Sequence, residues 1–182
     1  MSTAAPFPPP AAAPPPPSVD LSSFSTLLCT TPEELERSLR IRYEVFCVEQ
    51  GYDPKIEVDD RDKDSDHILL IKTHENGTVE DVATVRWFAP LSKLGRFAVH
   101  APYRGLGLGT LLGTALEEHI HQRKGRAAER FRGKEEAELV ANSQCIALGY
   151  YLKRGWRTEG EEFIEEGQPH IKVVKTIQLR PE

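Results

Sequence analysis

One stretch of the sequence has residue types that suit the binding of an anionic ligand. Arg104 is followed by Gly105, Gly107 and Gly109, and then by apolar residues at helical spacing as far as Ile120. The first amides of a helix have no intrahelical partner, and the helix dipole places partial positive charge there. Glycines let a ligand approach the backbone, and arginine offers a planar fork to phosphate oxygens. The stretch therefore predicts a phosphate-binding turn at the start of a helix.

Two common phosphate loops do not fit this turn. The dinucleotide fingerprint G-x-G-x-x-G fails, because the sixth position is Thr110 when counted from Gly105 and Leu112 when counted from Gly107. The P-loop needs Gly-Lys-Ser or Gly-Lys-Thr, and the sequence contains neither. What remains is R-x-x-G-x-G, preceded by the short apolar run 96–99, which predicts a buried strand.

A second pattern lies further along the chain. It reads Gln144-x-x-Ala147-x-x-x-Tyr151-x-x-x-Gly155-Trp156 and falls on an apolar segment with helical spacing. The spacing predicts a helix that begins at Gln144, and Gly155 suits the position just after its C-terminus.

Together the two patterns resemble those of the GNAT superfamily of N-acetyltransferases. The first resembles that superfamily's pyrophosphate-binding motif, and the second resembles N-x-x-A-x-x-x-Y-x-x-x-G-F, with Gln144 in place of Asn and Trp156 in place of Phe. Residues 42–50 (RYEVFCVEQ) and 167–170 (GQPH) are similar to segments of an ElaA-like branch of the superfamily.

The resemblance implies an α/β protein with the GNAT acyl-CoA N-acyltransferase fold, a mixed central sheet flanked by helices, over residues 21–182. It implies transfer of an acetyl group from acetyl-CoA to a primary amine by direct attack in a ternary complex. The pantetheine arm is expected along the strand before the turn and the pyrophosphate on the turn. The cofactor-binding residues predicted in this way are Phe97, Ala98, Val99, Arg104, Gly105, Leu106, Gly107, Leu108, Gly109, Thr110 and Gln144.

The chemistry also requires proton transfer. An amine with a pKa of about 10 must lose a proton before it attacks a thioester, and the departing thiol gains from a proton donor. Tyr151, at the family's tyrosine position, is the predicted general acid, although a tyrosine at a helix end often only packs. Tyr150 points about 100° away around the helix and serves as a control. The predicted base is His170, with Glu49, Glu57 or a water relay as alternatives.

The remaining elements follow from local signals. Thr31-Pro32-Glu33-Glu34 predicts a helix start with a capping box, and the helix extends to about Gln50. Residues 51–66 are polar and acidic, lack the glycine of a calcium-binding EF-hand loop, and are predicted to be a solvated loop. Paired strands, two strand–helix units and two final strands follow. The predicted buried face of the first helix is Leu35, Leu39, Tyr43 and Phe46.

The acidic segment bears on the acceptor, because in the resembled fold it borders the acceptor side of the cleft. A cleft lined by acids concentrates cations, which favours a small cationic amine or a peptide amine. Acids that merely solvate a loop set no preference. A non-catalytic acetyl-CoA sensor, an interaction protein and an acetyltransferase for amino sugars stay open. The acids are Glu49, Asp53, Glu57, Asp59, Asp60, Asp62, Asp64 and Asp66.

Composition narrows the partners further. A length of 182 residues suits one domain, and a net charge of -5 argues against nucleic acid as the main partner. The 3 cysteines lack metal-ligand spacing, so no metal site is predicted and a reducing compartment is expected, the cytoplasm or else the nucleus. No apolar run reaches membrane-spanning length. The expected partners are acetyl-CoA and an amine acceptor, without nucleic acid or membrane, and a homodimer stays open.

Residues 1–20 form a separate region. They include eight prolines among alanines, with almost no charge, and predict a disordered proline-rich tail. They lack the basic start and apolar centre of a secretory signal, and the first arginine, Arg37, comes too late for a transit peptide.

Overall fold

The computed structural model describes residues 20–181. The predicted proline-rich tail therefore lies outside the described residues, except for Asp20. The Asp20 carboxylate accepts a hydrogen bond from the amide of Ser22 and caps a 3-10 turn at Leu21–Ser23.

A seven-stranded mixed sheet forms the centre of the fold. Its spatial order is β1-β2-β3-β4-β5-β7-β6, and every neighbouring pair is antiparallel except β4 and β5. This arrangement confirms the predicted mixed α/β sheet. The strands are β1 (Phe24–Leu28), β2 (Ser65–Thr73), β3 (Val79–Phe88), β4 (Lys93–Val99), β5 (Glu136–Gln144), β6 (Arg157–Glu165) and β7 (Gln168–Gln178).

Helices cover both faces of the sheet. Leu112 and Leu116 of α3 pack with Val85 and Trp87 of β3 in the larger core, and Ile41 of α1 packs in a separate core on the other face. No helix in the described part of the chain is long and apolar enough to cross a membrane. The helices are α1 (Pro32–Arg42), which continues as a π-helical segment (Tyr43–Glu49), α2 (Pro54–Glu57), α3 (Leu108–His121), α4 (Ala127–Arg130) and α5 (Leu148–Lys153).

The start of α1 forms as its sequence predicts. The Thr31 hydroxyl accepts a hydrogen bond from the Glu34 amide at 3.2 Å, and the Glu34 carboxylate accepts one from the Thr31 amide at 3.1 Å. Pro32 occupies the first helical position, where its missing N–H costs nothing. The predicted capping box is confirmed.

The buried face of this helix differs from the prediction. Tyr43, placed on the buried face by its spacing, is 49% exposed, whereas Arg42 is fully buried. The error has a physical cause, because a hydrophobic pattern assigns an arginine to the solvent. The buried residues of the helix and its π-helical continuation are Ser38, Ile41, Arg42 and Val45.

The acidic segment explains why Arg42 is buried. The Arg42 Nε lies 2.5 Å from Glu57 Oε1, and its Nη1 lies 2.7 Å from Asp62 Oδ1. Burial disfavours the Asp62 carboxylate, but the hydrogen bonds and charges of Arg42 and Arg86 outweigh it and lower its pKa to about 2. Burial dominates at Glu57 and raises its pKa despite Arg42. The prediction of a plain solvated loop is therefore wrong.

The Arg42 contacts generate the first testable prediction. Arg42→Met should lower the free energy of unfolding by about 3–5 kcal/mol, because it leaves buried carboxylates without their main counterion. Arg40→Met, on the same helix but with its side chain 61% exposed, should change it by about 0.5 kcal/mol or less. Urea denaturation of both variants measures the difference. Equal, small effects would show that the buried arginine is dispensable.

Candidate active site

The site begins where β4 and β5 separate. These parallel strands pair only at Lys93 with Val140 and Leu94 with Ala141. A bulge follows in β4, where two β4 residues face a single β3 residue and Arg96 adopts a positive φ of 52°. Beyond it, residues 95–99 and 142–144 line opposite sides of a cavity of about 730 Å³. The interrupted pairing thus opens the sheet at its centre.

The predicted phosphate turn lies at the rim of this cavity. Gly107 precedes α3 with a φ of 81°, and a side chain added there would meet no atom within 4 Å. Within the described chain, the amides of Gly105, Gly107, Leu108 and Gly109 have no hydrogen-bond acceptor, whereas the Leu106 amide closes a turn. Four unpaired donors at the positive end of a helix form a site suited to an anion.

The predicted cofactor-binding residues divide between cavity and rim. Those that line the cavity are Phe97, Ala98, Val99, Arg104, Gly109 and Gln144. Those that form the turn beside it are Gly105, Leu106, Gly107, Leu108 and Thr110. The first group borders the cavity and the second adjoins it along the chain, although the Leu108 side chain is buried in the core. The role of these residues in cofactor binding stays a prediction.

The guanidinium of Arg104 is already paired. Its Nη1 and Nη2 donate to the two oxygens of Glu49 at 2.5 and 2.8 Å, and its Nε donates to the Val99 carbonyl at 2.9 Å. The hydrogen bonds from Arg104 lower the pKa of Glu49. An ion-paired carboxylate with a lowered pKa is a poor proton acceptor, so Glu49 fits the role of base badly.

Two adjacent tyrosines of α5 have different environments. Tyr151 is 7% exposed and lines the cavity, and its hydroxyl has no hydrogen-bond partner among residues 20–181. The Tyr150 hydroxyl donates to the carbonyl of Gly109 at 2.8 Å. Burial raises the pKa of both phenols, to about 12 for Tyr150 and further for Tyr151. The hydroxyl without a partner is the one that the motif predicts.

Gln144 occupies a different element from the one predicted. It is the last residue of β5 and pairs with His170, and α5 begins only after a 3-10 turn at Cys145–Ala147. Its side-chain amide donates to the Tyr52 hydroxyl at 3.1 Å. The helical start was wrong because pairing with β7 extends the strand. The side chain nonetheless lines the cavity.

His170 lies on β7 and lines the same cavity while only 6% exposed. Its Nδ1 is 2.9 Å from the carbonyl of Gln168. A carbonyl can only accept, so we assign the proton to Nδ1, which leaves Nε2 with the lone pair. That nitrogen lies 4.0 Å from Glu165 Oε2. A neutral imidazole in this tautomer can accept a proton inside the cavity.

Sequence reasoning missed several residues of the site. The Asn142 amide donates to Glu165 Oε1 and Oε2 at 2.9 and 3.1 Å, and Lys93 lies 4.0 Å from the same carboxylate. These residues come from β4, β5 and β6, and no local motif connects them. Only the assembled sheet places them together.

The acids do not make the cavity negative as predicted. Arg86 pairs with Asp59 and Asp62 at 2.6 and 2.8 Å, and Arg96 lies 3.3 Å from Glu57. Because arginines pair with these carboxylates, the charge of the acidic segment no longer supports a cationic acceptor. For the same reason, Glu57 is a poor candidate for the catalytic base. The charged residues that line the cavity are the cations Arg61, Arg86, Lys93, Arg96 and Arg104 and the acids Glu57, Asp59, Glu165 and Glu166.

Comparisons with known proteins agree with this architecture. A family model described as an acetyltransferase (GNAT) domain matches residues 60–177. The uncharacterized protein YyaT of Bacillus subtilis (strain 168) is 34% identical over 151 residues, which cover 81% of this chain and 93% of YyaT.

Solved structures show the same fold. An acyl-CoA N-acyltransferase from Pseudomonas aeruginosa is 26% identical, with a TM-score of 0.63. The superposed region covers 84% of this chain and 97% of that enzyme's chain. ElaA of Escherichia coli is 25% identical, with a TM-score of 0.63 and the same coverages. The fold and the family match together define an acyltransferase. The chain belongs to the GNAT family of acetyltransferases, as its two motifs predict.

The free amides of the turn generate the second prediction. Gly107→Asp should weaken acetyl-CoA binding at least about tenfold, because a carboxylate there repels phosphate. Gly77→Asp is a matched control, since Gly77 also has a φ of 81° and no atom within 4 Å of an added side chain, but lies in the hairpin between β2 and β3 and does not line the cavity. Calorimetric titration of both folded variants compares the affinities. Equal affinities would remove the pyrophosphate from this turn.

Proposed function

We propose that this protein is an acetyl-CoA-dependent N-acetyltransferase that acetylates a primary amine by direct attack in a ternary complex. The observation that carries the proposal is one cavity that adjoins the glycine turn and is lined by Tyr151, whose hydroxyl has no partner among the described residues, and by His170, whose Nε2 lies 4.0 Å from the nearest carboxylate oxygen. Membership of the GNAT family supports the same reaction. The proposal concerns a primary amine and does not retain a cationic acceptor, because Glu57 and Asp59, the acids of that segment that line the cavity, are paired with arginines.

The cofactor fits this cavity from the rim inwards. The unpaired amides of Gly105, Gly107, Leu108 and Gly109 receive the pyrophosphate, and the pantetheine arm follows residues 97–99. Beyond Leu94, the edge of β4 that faces β5 has no strand partner in the part of the chain that the structure describes, so its backbone groups are available to an added extended chain. The thioester then reaches the point where the two strands converge.

The transfer needs two proton movements and one new bond. The acceptor amine passes a proton to His170 Nε2, and its nitrogen attacks the thioester carbonyl carbon. The N–C bond forms, the C–S bond breaks, and the sulfur takes its proton from the Tyr151 hydroxyl. The products are the N-acetylated amine and the free thiol. An acceptor that arrives as an ammonium ion loses its first proton to solvent before this step, and the proton on His170 returns through solvent to the Tyr151 phenolate, so the enzyme is regenerated and the reaction releases one proton per ammonium consumed.

Burial suits Tyr151 to this role. A desolvated phenol with a raised pKa stays protonated until a base appears. The departing thiolate forms in the same water-poor space, and desolvation raises its proton affinity as well. Proton donation from Tyr151 therefore avoids a buried thiolate. Tyr150 is less suited to this role, because its hydroxyl already donates to the Gly109 carbonyl.

The third prediction separates the two tyrosines. Tyr151→Phe should lower kcat by about tenfold to a thousandfold, with little change in acetyl-CoA affinity, because only the proton donor is lost. Tyr150→Phe should have a much smaller effect on kcat. Steady-state kinetics with thiol release as the readout, together with calorimetry, distinguish rate from binding. If the two variants exchanged behaviour, the assignment of the acid would be wrong.

The fourth prediction concerns His170. At neutral pH His170→Gln should lower kcat/KM by about tenfold to a thousandfold, because the amine must reach the thioester without a base. At a pH about one unit above the pKa of the acceptor amine, that amine is largely neutral, so the deficit in kcat/KM should narrow. His74→Gln, in the exposed hairpin, is the control and should match the unmodified protein at each pH. A deficit independent of pH, or none at all, would favour a structural role or a water relay.

A further inference from the structure

Two cations that line the cavity are at most weakly paired with carboxylates among the described residues. Lys93 is mostly buried, with 25% of its side chain exposed, and the nearest carboxylate oxygen, on Glu165, is 4.0 Å away. Among the described residues, no carboxylate lies within ion-pair distance of the Arg61 guanidinium, which sits 5.5 Å above the centre of the Phe88 ring. Both side chains line the cavity.

These residues form one cluster. Lys93 and Phe88 are directly opposed in the β3–β4 pair, so their side chains lie on the same face of the sheet. Burial and the neighbouring guanidinium of Arg61 lower the pKa of Lys93, and Glu165 only partly opposes them. The other arginines nearby, Arg86 and Arg96, already hold carboxylates. An incompletely paired cation in this setting gains from an anion that a ligand supplies.

Glu165 sets the distance between this cluster and the proposed base. Its Oε1 faces Lys93 and its Oε2 faces the Nε2 of His170, each at 4.0 Å, while Asn142 holds both oxygens. A molecule whose amine contacts His170 therefore has only a short distance to bridge before it reaches Lys93. That distance is the width of the Glu165 carboxylate plus the 4.0 Å separation on each side of it. That span fits a short molecule with an amine at one end and an acidic group at the other.

We propose that the acceptor is a short amino acid whose carboxylate binds between Lys93 and Arg61, above the Phe88 ring, while Glu165 and His170 receive its amine. This inference rests on the proposed function and specifies its acceptor. The carboxylate completes the ion pairing of Lys93, and the intervening methylenes lie against the aromatic ring.

The test is an acceptor panel with thiol release from acetyl-CoA as the readout. It contains amino acids with the amine and carboxylate separated by one to five methylenes, each matched with its carboxamide. The best carboxylate should exceed its carboxamide in kcat/KM by about tenfold to a hundredfold, the effect of one charge-assisted contact. The values of kcat/KM are calculated for the neutral amine from the measured amine pKa of each acceptor, because an amino acid and its carboxamide differ in that pKa.

Lys93→Met should bring the ratio of kcat/KM between a carboxylate and its carboxamide close to one, mainly by raising KM for the carboxylate. Lys93→Arg should restore most of the preference for the carboxylate. The control Lys172→Met removes a lysine that pairs with Glu159 outside the cavity, and should leave the ratio unchanged. Calorimetry with acetyl-CoA shows that each variant is folded. Equal turnover of carboxylates and carboxamides, or a ratio insensitive to Lys93→Met, would overturn the inference alone. Absence of turnover with every amine, while acetyl-CoA still binds, would overturn the proposed function and this inference with it.

Discussion

The interrupted pairing of β4 and β5 is the constraint on which the rest of the structure depends. Two parallel strands that stayed paired along their length would fill the centre of the sheet and leave no cavity. The β4 bulge turns that strand away after Leu94, with Arg96 in a conformation that side chains rarely adopt. The strain is local, but the opening that it creates is the place where we propose that both substrates bind.

The buried ion pairs maintain this opening. Arg96, which lies in the bulge, donates to the Ile56 carbonyl at 2.8 Å. Arg42 and Arg86 form ion pairs with Asp62 of the acidic segment. Three arginines from three elements meet three carboxylates, so the wall of the cavity is nearly neutral although it contains many charges. A neutral wall matters for the chemistry, because the charges left over at Lys93, Arg61 and Glu165 then determine what the cavity attracts.

Local signals in the sequence were sufficient where local physics decides the structure. The capping box at Thr31, the glycine turn after Arg104 and the positive φ of Gly155 after α5 each depend on residues a few positions apart. Arg42 could not be placed from the sequence, since its partners Glu57 and Asp62 lie 15 and 20 positions away and only the folded chain joins them. Gln144 was assigned to a helix because the motif continues into one, whereas β7 pairs with it as a strand. Lys93, Asn142 and Glu165 could not be identified from the sequence either, because they lie on three different strands and come together only in the folded sheet.

The pairing of Arg104 with Glu49 changes the energetics expected of the turn. A free arginine would gain a full charge-assisted contact when a phosphate arrived, but a paired one exchanges a carboxylate for a phosphate, and the net gain is smaller. Among the described residues, the amides of Gly105, Gly107, Leu108 and Gly109 have no such partner to give up, and the helix dipole already favours an anion beside them. Most of the affinity for the pyrophosphate is therefore expected from the backbone. On this account the glycines, which leave those amides accessible, matter more than the arginine that the motif shares with them.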